Sequence, residues 1–231
     1  MTAERFATLT TAHLTDACVR AGVEVRCAPH TLQAAVPGMR MLGPARPARH
    51  VGSVDVFLEA IEASAPGDVL VADNGGRLDE ACIGDLLALE AQAAGLAGIV
   101  IWGLHRDSVD IAAIDIPVFS LGSMPTGPLA VGDRPADALT AATVDQWTIT
   151  SADVVAADED GVIFLPADRL DELLGLAEGI RDTERHQADR ISDGTSLREQ
   201  VRFAEFLAAR EANPALTFRE HLRAVGGEIE V

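Results

Sequence analysis

Residues 66–121 set the tightest limits on the fold. Pro66-Gly67 opens an unbroken apolar run, Asp68-Val-Leu-Val-Ala-Asp73, which the glycine-rich Asn74-Gly75-Gly76 closes. The spacing predicts a helix over 84–94, a second apolar run at 98–102, a short turn or helix near 106–112 and a third run at 117–121. Short apolar runs without polar alternation suit strands buried on both faces. Strands that alternate with helices across short links predict an α/β core containing parallel strands.

The flanks read differently. Residues 3–22 predict one helix, with Gly22 as its stop, and 40–51 predict short strand pieces broken by Pro44 and Pro47. Asp55 to Ala63 reads as a short helix. Beyond Gly122, the segments 143–150, 153–157 and 161–165 read as β structure. Their close spacing, with turns such as Asp158-Glu-Asp-Gly161, predicts hairpins rather than further crossovers. From Asp168, a suitable N-cap, the chain reads as helical, with Leu170, Leu173, Leu174, Ala177 and Ile180 in one stripe. The stripe fades into polar residues 181–187, either a solvated helix end or a reach toward a neighbouring subunit. Ser196-x-x-Glu199 and Thr217-x-x-Glu220 are capping boxes that predict two more helices, stopping at Asn213-Pro214 and near Gly226-Gly227. The simplest parse is a core domain over 1–166 and a helical extension over 167–231.

Composition matters most through what it removes. The 18 basic residues are all arginine, so the chain has no lysine. Schiff-base aldolase chemistry, lysine-anchored pyridoxal phosphate and a Walker A lysine are therefore excluded. Any carbanion chemistry needs a metal or an oxyanion site as its electron sink. With 36 acidic residues the formal net charge is -18, which argues against sequence-independent binding to nucleic acid and against docking on anionic membranes. Cys18, Cys27 and Cys82 show no zinc spacing and read as reduced thiols of a cytoplasmic protein. No basic region followed by an apolar run marks the N-terminus, and no apolar stretch approaches roughly 18 residues, so neither a signal peptide nor a membrane span is expected.

Several residues can carry chemistry. Arg106-Asp107 follows a buried strand and Gly103, at the strand end where α/β sheets place ligands. Arg106 can grip a carboxylate bidentately and Asp107 can serve a hard divalent cation, or the two can form a surface pair that closes a turn. Gly84-Asp85-Leu86-Leu87 offers the free N–H groups of a helix start, an anion site by type. Gly84 permits close backbone approach, and Asp85 is either a cap or a base candidate. Residues 73–77 read mainly as a turn that can wall the same pocket. His13 and Asp16 share a helix face at i,i+3, and His105 sits beside the proposed site.

The pattern Gly84-Asp85, Ala91, Gly95, Gly98, Val100, Gly103 and Arg106-Asp107 resembles the RraA-like family, which includes 4-hydroxy-4-methyl-2-oxoglutarate aldolases and the regulator of RNase E activity A. The resemblance begins at Leu9-Thr-Thr-Ala-His-Leu-Thr-Asp16. It runs through Met41-Leu-Gly-Pro-Ala45, Pro66-Gly-Asp-Val-Leu-Val71 and Ile116-Pro-Val-Phe-Ser120 to about Leu165. Trp102 stands where that family often has aspartate, and Leu121–Gly127 replaces a stretch that is often basic.

The resemblance implies a swivelling α/β sandwich, here with a C-terminal helical extension, assembled as trimers or hexamers with sites between subunits. It implies Mg2+ or Mn2+ at Asp107, mostly through water, and a pyruvyl group held by Arg106 and the backbone of Gly84, Asp85, Leu86 and Leu87. Asp85 would position a water for proton transfer, and a carboxylate would enter from a neighbour's C-terminal helix, for which Glu184 is the candidate. The expected activity is metal-dependent cleavage of a 4-hydroxy-2-oxo acid, or decarboxylation of oxaloacetate, to give pyruvate. The alternative from the same family is a non-catalytic regulator of a protein partner such as a ribonuclease. Methyl transfer from a nucleoside donor is not expected, because no Gly-rich dinucleotide-type fingerprint is present.

Overall fold

The computed structural model of the chain describes residues 2–226. In order these form α1 (Thr2–Phe6), α2 (Thr11–Ala21), β1 (Arg26–Cys27), β2 (Gln33–Ala34), β3 (Met41–Arg49), α3 (Asp55–Glu62) and β4 (Val69–Asp73). Next come β5 (Ala81–Ile83), α4 (Asp85–Ala93), β6 (Gly98–Trp102), β7 (Leu104–His105), α5 (Ser108–Ala113) and β8 (Val118–Ser120). The remainder is β9 (Ala142–Val144), β10 (Trp147–Ile149), β11 (Asp153–Asp158), β12 (Gly161–Pro166), α6 (Leu170–Ser192), α7 (Leu197–Gln200), α8 (Phe203–Ala212) and α9 (Phe218–Val225).

The main sheet has eight strands in the order β1-β12-β11-β3-β4-β6-β8-β2. Its centre, β3-β4-β6-β8, is parallel, as the alternation of strands and helices predicts. The other pairings in this sheet are antiparallel, and β11 and β12 form the predicted hairpin around Glu159-Asp160. β9 and β10 form a second hairpin, with Asp145 in the left-handed region at its turn.

Strand alternation sorts the core into layers. Leu70, Ala72, Ile99 and Ile101 face Phe57, Ile61, Leu87 and Ala91 of the helices. Val69, Val71 and Val100 face the opposite way, onto Phe119, Phe164 and the β9–β10 hairpin. Beyond β3 the helical cover changes: Val154, Ala156, Ile163 and Leu165 pack against Leu14 and Ala17 of α2 and Leu173, Leu174 and Ala177 of α6. Every residue of β4 is buried, the expected state of a central parallel strand.

Several boundaries differ from the reading of the sequence. The first helix splits into two because Thr10 takes an extended conformation and caps α2. Its box partner is His13, whose Nδ1 accepts from the Thr10 N–H at 3.0 Å, so the usual Glu or Gln cue is absent. Residues 41–49 form one strand despite two prolines: β11 pairs residues 41–44 and β4 pairs 45–49, so the ladder changes partner at Pro44 and β11 no longer flanks the strand at Pro47. Asp168 does not cap α6. It lies in a 3-10 turn, and Arg169 precedes the helix without a side-chain cap. Both capping boxes in the tail form, at Ser196 and Thr217, but the single helix predicted from Ser196 to Asn213 is broken into α7 and α8 at Arg202, which takes the left-handed region; Gly226 closes α9 in that same region. Gly227, the other half of that predicted stop, lies outside the described residues.

Candidate active site

A short ladder that the sequence did not reveal builds the site. β5 pairs parallel with β7, Ile83 opposite His105, and the Arg106 N–H donates to the Ile83 carbonyl at 2.9 Å. The next residue after β5 is Gly84, so this pairing lays the start of α4 against Arg106 and Asp107. Gly84 has an ordinary extended backbone, φ -128° and ψ -169°. Its missing side chain is what counts. A methyl group there would lie 3.2 Å from Arg106 Cγ and Nε and well inside 3.0 Å of Asp107 Oδ2, closer than real Cβ contacts come.

Gly84, Asp85, Leu86, Leu87 and Arg106 line one cavity of about 250 Å3, together with His50, Val54, Ala81, Cys82 and Pro128. α4 has no side-chain cap, which leaves the first-turn N–H groups of Asp85, Leu86 and Leu87 without intrahelical acceptors. With the positive end of the helix dipole they favour an anion or a polarised oxygen. Arg106 Nε lies 3.3 Å from Asp107 Oδ2, with the two side chains 49% and 36% exposed. Both groups can still reach a ligand.

Asp107 itself sits in the left-handed region, φ 60° and ψ 41°, at the start of α5, and its side chain caps nothing. Its carbonyl accepts from Ile111 instead. Behind it, His105 is buried and clamped, Nδ1 to Ser120 Oγ at 2.8 Å and Nε2 to Ser108 Oγ at 3.0 Å. Burial pushes its pKa below the ordinary histidine value, and the Gly122 backbone and nearby Asp107 only partly offset this. His105 therefore acts as a neutral support for the turn. Burial raises the Cys82 thiol strongly, so the cysteine in the cavity wall is no nucleophile at neutral pH.

Among the described residues no group of three His, Cys, Asp or Glu side chains is arranged to hold a metal ion. The donor set against Gly84 is the part-exposed carboxylate of Asp107, and Asp85 lines the cavity beside it. That set fits Mg2+ or Mn2+, which take one or two protein carboxylates and keep several waters, and does not fit a closed zinc cage.

Glu184 lies elsewhere in the chain. It projects from α6 and its Oε2 meets His13 Nε2 at 3.0 Å, with the carboxylate 53% exposed. His13 thus pairs with Thr10 and Glu184, not with Asp16. Sequence reading missed His50, which follows the last residue of β3 and lines the cavity. Its position after a parallel strand was the available signal, hidden because the prolines broke that strand on paper. Asp73, Asn74, Gly75 and Arg77 line a separate, larger cavity that shares His50 with this one.

A model of the RraA-like family (Aldolase/RraA) matches residues 11–164. Protein DlpA of Legionella pneumophila is 32% identical over 172 residues, 71% of this chain and 28% of its own length. A protein of Aromatoleum aromaticum, provisionally named 4-hydroxy-4-methyl-2-oxoglutarate aldolase, is 38% identical over 104 residues, 45% of this chain and 64% of its own length. The chain thus spans less than two thirds of these two relatives. A crystal structure of an uncharacterized protein from Pseudomonas syringae pv. tomato superposes with a TM-score of 0.77 at 28% identity, covering 88% of this chain and 93% of the other.

Proposed function

The chain belongs to the RraA-like family, and from that premise we propose that it is a divalent-metal-dependent lyase that cleaves a 4-hydroxy-2-oxo acid, or decarboxylates oxaloacetate, to give pyruvate. The observation that carries this reading is the cavity lined by Gly84, the α4 N-terminus and Arg106, with the Asp107 carboxylate set against Gly84 beside it. Arg106 grips the substrate carboxylate, and the N–H groups of Asp85, Leu86 and Leu87 receive the 2-oxo oxygen. Asp85, in the first turn of α4, positions a water that takes the 4-hydroxyl proton as the C–C bond breaks. Such proton positioning contributes about 10²–10⁴-fold. Mg2+ or Mn2+ at Asp107 would supply the charge that stabilises the developing enolate.

We place the active form as a trimer or hexamer. Leu86, which lines the cavity, is 76% exposed and suits a covering subunit, and Glu184 of α6 is the carboxylate offered to a neighbour's site. A cytoplasmic location goes with three free thiols. No helix among the described residues is long and apolar enough to cross a membrane.

The test is pyruvate release from oxaloacetate and from 4-hydroxy-2-oxo acids, with and without chelator, in wild type, Arg106→Ala and Asp107→Ala. Loss on chelation, restoration by Mg2+ or Mn2+ and loss in both variants are expected. Turnover that survives chelation, or survives Asp107→Ala, removes the metal role. No turnover of any acid returns the chain to the non-catalytic regulators of the family.

A further inference from the structure

A second cavity of about 760 Å3 opens at the C-terminal ends of the parallel strands. Its wall includes Arg49, Asp73 and Trp102, the last residues of β3, β4 and β6, which strand register sets side by side. His50 lines both this cavity and the smaller cradle, and the segment 128–132 borders both, through Pro128 at one and Ala130 to Gly132 at the other. Sites that take a whole small ligand typically enclose roughly 300–1,000 Å3. The cradle, at about 250 Å3, falls short of that range and the second cavity lies inside it. The cradle thus suits the reacting end of a substrate and the larger space suits the remainder.

Charge decides what that remainder is. The charged lining residues are Arg49 and Arg77 against Asp73, Glu80 and Asp145, an excess of one negative charge. Both guanidinium groups are already engaged: Arg49 with Asp73 at 3.5 Å and Asp137 at 3.2 Å, Arg77 with Asp79 at 2.8 Å and Glu80 at 3.2 Å. A second substrate carboxylate entering here meets net repulsion and arginines committed elsewhere. A neutral chain of hydroxyl groups meets a different wall. Its O–H groups can donate to carboxylate oxygens, and its C–H faces can lie on the indole of Trp102, which is braced on one side by Gly76. At the junction, His50 is fixed by stacking on Phe57, ring centroids 5.0 Å apart, and by Asn74 Oδ1 at 2.8 Å from its Nδ1.

Resting on the lyase reading above, we propose that this cavity is the distal subsite, and that it selects 4-hydroxy-2-oxo acids whose far end is a neutral, polyhydroxylated chain over those that end in a second carboxylate. Glu80 and Asp145 exclude the carboxylate, and Trp102 seats the hydroxylated chain. The experiment compares kcat/KM for two acids of matched length, a 2-oxo-3-deoxy aldonic acid and the corresponding 4-hydroxy-2-oxo diacid, in the presence of Mg2+. Wild type is expected to favour the hydroxylated acid about tenfold or more. Glu80→Gln, which keeps its shape beside Arg77, and Asp145→Asn, which tolerates the left-handed turn, should each narrow that ratio through a lower KM for the diacid. Melting curves verify that the variants fold. Pyruvate release with equal or reversed preference overturns the subsite and leaves the lyase reading in place. A ratio unmoved by both folded variants also overturns it. Absence of pyruvate from every acid removes the lyase reading and this assignment together.

Discussion

Replacing Gly84 by alanine separates the geometry of the cradle from the stability of the fold. The added methyl would press on Asp107 Oδ2, and the carboxylate must retreat by more than half an ångström to reach the 3.0 Å limit of real Cβ contacts. Arg106 Cγ and Nε, at 3.2 Å from the same methyl, must give way by a few tenths of an ångström as well. Misplacement of about 1 Å in a reacting constellation costs on the order of 10²-fold. The corresponding loss of transition-state stabilisation is about 2.7 kcal/mol. Stability is barely touched, because φ -128° and ψ -169° suit alanine as well as glycine. The poorer N-cap costs a few tenths to about 1 kcal/mol and the stiffer unfolded chain returns about 0.4–1 kcal/mol. The assay is pyruvate release with Mg2+, read beside a thermal melt. A folded Gly84→Ala protein that keeps kcat/KM within about threefold of wild type refutes the placement of Asp107 at the reacting centre. Gly127→Ala is the internal comparison. Its methyl would lie 2.8 Å from Arg106 Nη1, the far end of a flexible side chain that can swing aside, so only a few-fold rise in KM is expected.

Other substitutions probe the remaining parts. Arg106→Lys keeps the charge but loses the two-pronged grip, and should raise KM about tenfold with a smaller change in kcat. His105, buried with its pKa lowered, is neutral in the folded state and binds its proton more readily when unfolded. Its contribution is complete above the ordinary value near 6.5 and is lost as pH falls from there toward the lowered value. The melting temperature of wild type should therefore drop more steeply below that pH than that of His105→Gln. Thr217→Ala removes the cap of α9 and should weaken amide-exchange protection there by about 1 kcal/mol while leaving turnover unchanged. Mixing Asp107→Ala with Glu184→Gln subunits should restore activity that neither has alone, because some sites then combine an intact Asp107 with a neighbour's intact Glu184. No recovery on mixing places Glu184 outside the site.

Much of the fold was legible because burial leaves a mark in the sequence. The run at 68–73 has no polar residue inside it and becomes β4, buried throughout. Both capping boxes and the β11–β12 hairpin follow from local side-chain and turn chemistry, which tertiary packing does not override. The misread boundaries have different causes. Thr10 ends one helix and starts another through a histidine at the third position, and β3 survives two prolines because its partners change along its length. The Thr10–His13 cap is local and escaped because histidine is not the usual box partner; the strand depends on what lies beside it, which no local window contains. The β5–β7 ladder belongs to the same class. Strands of three and two residues carry almost no periodic signal, yet this ladder fixes the distance between Gly84 and Arg106.

The Arg106–Asp107 pair shows how magnitude separates the two readings that the sequence left open. As a surface pair it is half-exposed on both sides, with Nε and Oδ2 3.3 Å apart, and such pairs contribute roughly 0–1 kcal/mol. Holding an L-residue in the left-handed region costs roughly 1–2 kcal/mol, and less for aspartate, so the conformation at φ 60° offsets whatever the pair contributes. The side chain does not cap α5, and the glycine opposite has a backbone that any residue could adopt. A turn shaped for stability would have a capping carboxylate, with no need for glycine at 84. What the conformation secures is direction: the carboxylate points at Gly84, into space that exists only because Gly84 has no side chain. A half-exposed carboxylate beside a guanidinium and an uncapped helix N-terminus, with no stabilising task of its own, supports the proposal that a ligand completes the site.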